Sequence, residues 1–180
     1  PVTGTGESIQ KYASGALRPA WEDTKLPYSQ LWHYKWDRTY EALWNLAQVD
    51  SSPFDDVAME YSDPTTGGSV LATMACWIQL IRPGIHTRAH RHTTSAVYHV
   101  FEGEGYSIID GQRFDWSRGD LFVVPSWSWH EFGNDSSQEA ILFSIQDNPV
   151  IKSLALFREE AYEENAGHQS VTGKFSGLQR

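Results

Sequence analysis

The sequence predicts an all-β fold, an antiparallel sandwich or barrel, over residues 61–150. Two observations carry this. The apolar, partly β-branched and aromatic stretches SVLATMACWIQLIRPG, SAVYHVFEGEGYSIIDGQRFDW, GDLFVVPSWSWHEFGN and EAILFSIQDNP follow one another at short intervals. Turn signals separate them: Gly-Glu-Gly, Asp-Gly, Arg-Gly-Asp and Gly-Asn-Asp. Short strands at regular spacing with tight turns are the mark of such folds.

Residues 1–60 read as an N-terminal arm and a helix. The arm, through about residue 35, is polar with scattered aromatics, and Pro19 and Pro27 interrupt any helix. An arm carrying Trp21, Tyr28, Trp32 and Trp36 is expected to lie against another surface. In WDRTYEALWNLAQVD, Tyr40, Leu43, Trp44 and Ala47 recur at helical spacing, with Asp37 as the expected N-cap. Residues 151–180 read as a C-terminal helix, carried by Val150, Leu154 and Phe157, followed by a loose Gly-, Ser- and Gln-rich tail.

Totals bound the partners. The 180 residues suit one domain or one domain with an extension. Asp and Glu number 23 against 14 Lys and Arg, a net charge of -9, which argues against nucleic acid and against an anionic membrane surface. No apolar run approaches the roughly 18 residues needed to cross a bilayer. With a single cysteine, Cys76, no internal disulfide forms, and a cytoplasmic setting is expected. The chain begins at proline and is read as processed or as a piece of something longer.

The chemistry is concentrated in three histidines. His90 and His92 are two residues apart on a strand, so both imidazoles face one side while Arg91 faces the other. Alone the pair is a weak signal, equally suited to a solvated strand face. His130 follows the apolar run LFVV and lies beside Trp127 and Trp129 on a separate strand, which can bring a third imidazole onto the same ion. Three neutral imidazoles suit a divalent metal with open positions, and Fe(II), Zn, Ni and Cu are all compatible with them.

The spacing resembles the two cupin motifs. Gly84, His90-x-His92 and Gly103 match the first; Gly119, Pro125, His130 and Asn134 match the second. The resemblance implies a jelly-roll barrel. Ala96 and Val97 stand where the first motif carries a glutamate, and Pro125-Ser126-Trp127 replaces Pro-x-Gly. More closely, AHRHT, DGQRFDW, GDLFVVPSWSWHE, ILFSIQDNPV and LALFREEAY resemble the gentisate 1,2-dioxygenase family, with its salicylate and 1-hydroxy-2-naphthoate dioxygenases, from about Trp36 to Tyr162. Those enzymes are bicupins that use Fe(II) and O2 for extradiol-type opening of an aromatic ring bearing a hydroxyl and a carboxylate. The resemblance implies that His90, His92 and His130 are iron ligands, that an aromatic carboxylic acid and O2 are substrates, and that the chain corresponds to the C-terminal cupin half. It also implies association with a first cupin half or with further copies of this chain.

The substrate apparatus is only partly present. Tyr98 stands where the family's first cupin carries an arginine clamp for the substrate carboxylate, and Phe132 stands where it carries a further histidine; Gln79 matches a pocket glutamine. Candidate catalytic residues are Gln79, Tyr98, Tyr106 and Arg88, the last as a substitute clamp sharing the parity of His90. Two alternatives stand beside the dioxygenase: a single-domain metal-binding cupin with an altered substrate or no catalysis, and a metal-free effector-binding cupin. Other residues read as bland. His86 is expected at the surface, His99 on the outer sheet face, Arg113 in solvent, His33 and His168 as structural or free, and Cys76 and Trp129 in the core. Trp127 is left open between pocket and core.

Overall fold

The computed structural model describes residues 33–175. The aromatic arm before His33 lies outside the described residues. A helix, α1 (Trp36–Ala47), precedes nine strands: β1 (Val57–Tyr61), β2 (Ala75–Ile81), β3 (His90–His92), β4 (Ala96–Glu102), β5 (Glu104–Ile109), β6 (Gln112–Ser117), β7 (Leu121–Val124), β8 (His130–Gly133) and β9 (Ala140–Gln146). A short helix α2 (Asn148–Ser153) and two further strands, β10 (Glu159–Ala161) and β11 (Gly173–Lys174), complete it. The strands form a five-stranded sheet, β1-β2-β9-β4-β7, and a six-stranded sheet, β10-β3-β8-β5-β6-β11. This is the expected all-β cupin jelly roll.

Alternation along each strand divides the apolar residues between two cores. Ile81, Ala96, Tyr98, Val100, Val124, Ala140 and Leu142 of the first sheet meet Ile109, Trp116 and Phe132 of the second. On the outer face of the first sheet, Val57, Ile78, Leu80 and Ile141 bury Leu43 of α1, at the helical spacing read from the sequence. The Asp-Gly turn between β5 and β6 is a two-residue hairpin, with Asp110 at φ 47 and Gly111 at φ 76. Those values are what a type I′ turn requires.

Two local expectations differ. Lys35, not Asp37, is the N-cap of α1, and it makes no side-chain cap; Asp37 instead lies in the first turn, where its charge complements the helix N-terminus. The C-terminal helix stops after six residues, and Ala155 takes a left-handed φ of 56. Leu154 and Phe157 are exposed, so their spacing marks no buried face. The chain instead covers the open edge of β3: Glu159, Glu160 and Ala161 pair with His92, Arg91 and His90. The described part of the tail is anchored as well, because β11 pairs in parallel with β6.

Candidate metal centre

Register brings the three histidines together. His90 on β3 is the direct partner of His130, the first residue of β8, and His92 follows on the same face. Their ring centroids are 4.2 Å apart for His90 and His130, 4.9 Å for His92 and His130, and 5.4 Å for His90 and His92. One nitrogen from each lies within 4.8 Å of the others. Arg91 points outward, between the rings of Trp127 and Trp129 at 4.5 and 4.3 Å, and pairs with Glu160 at 2.7 Å.

The environment keeps these imidazoles neutral. Burial, reinforced by the neighbouring rings, drives His90 down to about 2, and burial drives His130 down to about 4. His92 is lowered for the same first reason, against the opposing pull of its Thr94 hydrogen bond. His130 Nδ1 lies 2.9 Å from the Ser128 carbonyl, which can only accept, so Nδ1 carries the proton and Nε2 a lone pair. His92 Nδ1 is fixed likewise, 3.0 Å from the Thr94 carbonyl and 2.6 Å from the Thr94 hydroxyl. His130 Nε2 and His90 Nδ1 are buried with no hydrogen-bond partner among the described residues. Buried polar atoms are rarely left so. Converging neutral nitrogens, two of them unpartnered and two of the rings oriented from behind by carbonyls, are the donor set that a divalent transition metal takes.

Polar side chains of the first sheet also share the inner strand face with Ala96, Tyr98 and Leu142. Gln79 is buried, and its Nε2 donates to the Asp55 carbonyl at 2.9 Å. Ser144 and Gln146, from β9, are buried and joined at 3.1 Å. Tyr98 is 3% exposed and stacked on Phe122 at 5.0 Å; burial first, then the nearby Asp55 carboxylate, pushes its hydroxyl far above the ordinary phenol range. It is a neutral hydroxyl and not a charged clamp.

Two candidates lie elsewhere. Tyr106 pairs with Gly133 on the face of β5 opposite to Ser107 and Ile109, whose partners Phe132 and His130 face the barrel interior. It therefore packs outside, under Arg113 at 3.7 Å, and a side chain on Gly133 would collide with its ring. Arg88 is exposed and lies over Gly167. It precedes β3, so strand parity does not govern it. His99 lies on the outer sheet face as expected. His86 and His168 are not isolated: both approach Glu131. Arg113 is partly buried against Tyr106 and Asp115 rather than solvated. Trp127 fills neither pocket nor core. It stands where the motif carries glycine and adopts a left-handed φ of 64, with Arg91 against its exposed ring. Trp129 is half-buried on the same cation rather than in the core.

Sequence reasoning missed the loop Pro53-Phe54-Asp55-Asp56. Asp56 is 2% exposed and clasps Arg82 through both carboxylate oxygens, at 2.5 and 3.2 Å, and also accepts the Arg82 backbone N–H at 2.9 Å. In the same loop Phe54 lies against His90, ring centroids 4.9 Å apart. Burial, and secondarily the charge of Glu159, raises the Asp55 carboxyl to about 6. The available signal was a proline, an aromatic and two acids between a helix and a strand.

The family model of the cupin domain matches residues 77–146. The chain is 41% identical over 169 residues to a 5-aminosalicylate 1,2-dioxygenase of Comamonas sp, covering 92% of this chain and 45% of that protein. It is 34% identical over 149 residues to a 1-hydroxy-2-naphthoate 1,2-dioxygenase of Nocardioides sp. (strain KP7), covering 80% and 37%. The crystal structure of a salicylate 1,2-dioxygenase from Pseudaminobacter salicylatoxidans superposes with a TM-score of 0.68 at 28% identity, covering 85% of this chain and 45% of that one. The chain thus spans less than half the length of these relatives.

Proposed function

We propose a function from one premise: this chain belongs to the gentisate, salicylate and 1-hydroxy-2-naphthoate 1,2-dioxygenase family of cupins. It is the C-terminal cupin of an Fe(II)-dependent dioxygenase that opens the ring of a hydroxylated aromatic carboxylic acid with O2. The iron ligands are His90, His92 and His130, and the cleavage is of the extradiol type. The observation that carries this reading is the convergence of three neutral imidazole nitrogens, two of them buried and unpartnered, on the inner face of the six-stranded sheet.

Bound iron supplies a template on which a hydroxy acid and O2 meet, with a path for electrons between them. The protein's own groups do the rest. Ser128 and Thr94 orient His130 and His92 so that their Nε2 lone pairs face inward. Phe54 packs against the His90 ring and helps hold it in place. Gln79, with its amide N–H held by the Asp55 carbonyl, keeps its oxygen for a hydroxyl donor. Asp55, next in the chain to Phe54, has a raised affinity for a proton that suits it to exchange one near neutral pH.

Tyr98 favours a second reading for the chain on its own: a metal-holding half with no carboxylate clamp. A neutral, stacked phenol offers one hydrogen bond where a guanidinium offers a fork, a difference of about 1–2 kcal/mol. The first cupin half then supplies the efficient site. Its barrel covers the outer face of β4, β7 and β9, where Val97, Leu121, Val123 and Ile145 are exposed together. A cytoplasmic setting fits such an oxidative enzyme. The test is oxygen uptake by the Fe(II)-loaded chain with gentisate, salicylate and 1-hydroxy-2-naphthoate. Slow or absent turnover alone, and turnover when a first cupin half is supplied, is the expected result. Turnover of roughly 1 per second by this chain alone would show that Tyr98 is no handicap. No turnover by either, with iron bound, would remove the dioxygenase reading.

A further inference from the structure

On the outer face of the six-stranded sheet a second trio of donors converges. Glu131 follows His130 on β8, so alternation turns it to the side opposite the barrel interior. Its carboxylate is fully buried, at 0% exposure, beneath the C-terminal segment. Oxygen Oε1 accepts the Gln169 backbone N–H at 3.0 Å. The other oxygen, Oε2, faces two imidazoles: His168 Nδ1 at 3.1 Å and His86 Nε2 at 3.5 Å. The two rings lie 4.3 Å apart, tilted by 35°. All three donor atoms lie within 4.8 Å of one another.

We infer that His86, Glu131 and His168 form a second divalent-metal site, of a class suited to Zn(II), which staples the C-terminal segment to the barrel. Four ligands placed tetrahedrally about 2.0–2.1 Å from zinc stand about 3.3 Å from one another. The observed 3.1 and 3.5 Å separations bracket that value. Nitrogen and carboxylate oxygen are the donors zinc accepts, and two His with one carboxylate leave a fourth position for water. His168 and His86 are 30% and 35% exposed, so that position opens to solvent.

Charge supports the same conclusion. Glu131 is at 0% exposure, and a buried carboxylate is costly unless its charge is matched. A divalent ion neutralises it. The site is also supported from behind. Gln169, besides holding Oε1, donates through Nε2 to the Ile108 carbonyl at 2.8 Å and accepts the Gly111 N–H at 3.0 Å. The backbone that carries His168 is thereby fixed to β5 and the β5–β6 hairpin. Such outer hydrogen bonds orient metal ligands.

The experiment uses the whole chain, stripped with chelator and titrated with Zn(II), with bound metal measured after dialysis. Four proteins are compared: the unchanged chain, His130→Ala, His86→Ala/His168→Ala, and all three changes together. The double substitution leaves the barrel triad intact and removes only half-exposed rings, so its retained barrel metal reports that it is folded. It should bind one Zn(II) fewer than the unchanged chain, and the affinity of that equivalent should fall about 100-fold or more. Zn(II) should also protect the segment after Tyr162 from proteolysis in His130→Ala, but not in the double variant. Should the double variant bind as much Zn(II) as the unchanged chain, the site does not exist and the trio is a hydrogen-bonded carboxylate only. Loss of the barrel equivalent alone in His130→Ala tests the triad separately, so failure of one site does not imply failure of the other.

Discussion

Replacing Asp55 by Asn should make the metal-free protein more stable near neutral pH. The Asp55 carboxyl is raised from 3.8 to about 6, first by burial and then by the charge of Glu159, with the Ser52 hydroxyl opposing at 3.2 Å. In the unfolded chain this group loses its proton near 3.8; in the folded protein it holds it to about 6. Between those values the folded state binds the extra proton, so stability falls as pH rises through the window, and the full cost of the buried charge is present above it. At about 1.4 kcal/mol per pH step the cost is about 3 kcal/mol. Asp55 is only half-buried by accessible surface, so we take about 1–3 kcal/mol. Asn keeps the acceptor for Ser52 and carries no charge. The assay is urea unfolding of both proteins at about pH 7.5, about pH 5 and about pH 4. The gain should be largest at the highest pH and vanish at the lowest. Equal stabilities at about pH 7.5, or a gain that does not change with pH, would show that Asp55 is not buried as described. Metal in the triad should shrink the gain, because a nearby cation favours the carboxylate.

Further outcomes are expected. Thr94→Val removes the hydroxyl behind His92 but keeps the carbonyl, so metal affinity measured by competition with a chelator should fall about 10-fold. Arg82→Ala strands the buried Asp56 carboxylate and should cost about 3–5 kcal/mol in denaturant unfolding, loosening Phe54 from His90 as well. Trp127→Gly relieves a left-handed backbone worth about 1–2 kcal/mol. It loses a surface contact with Arg91 of about 0.5–1 kcal/mol and adds glycine flexibility, so stability should change by less than about 1 kcal/mol.

The barrel and the triad were legible because each rests on a short-range rule. His90 and His92 share a face by alternation alone, and the glycine, proline and Asp-Gly punctuation sets where strands turn. His130 was found through motif spacing, which stands in for a register that the residues between do not reveal. What failed were inferences needing long-range pairing. Tyr106 was misplaced because the face a strand presents depends on its partner: β5 pairs Ile109, not Ile108, with His130. The tail from Val150 to Phe157 carries helical spacing, yet the unpaired edge of β3 captures the chain as β10. His86 and His168 lie 82 positions apart and meet only because both reach Glu131. No local pattern announces such a trio. Trp127 shows the converse: the departure from glycine was visible, but the cation that holds the ring was not.

The central claim is that His90, His92 and His130 hold one iron per chain. The most direct measurement is anaerobic loading with Fe(II), followed by metal analysis of the unchanged chain and of His130→Ala after identical dialysis. The account expects the unchanged chain to retain one Fe(II) equivalent more than the variant, with both folded by circular dichroism. Equal retention in the two proteins would contradict it and remove His130 from the site.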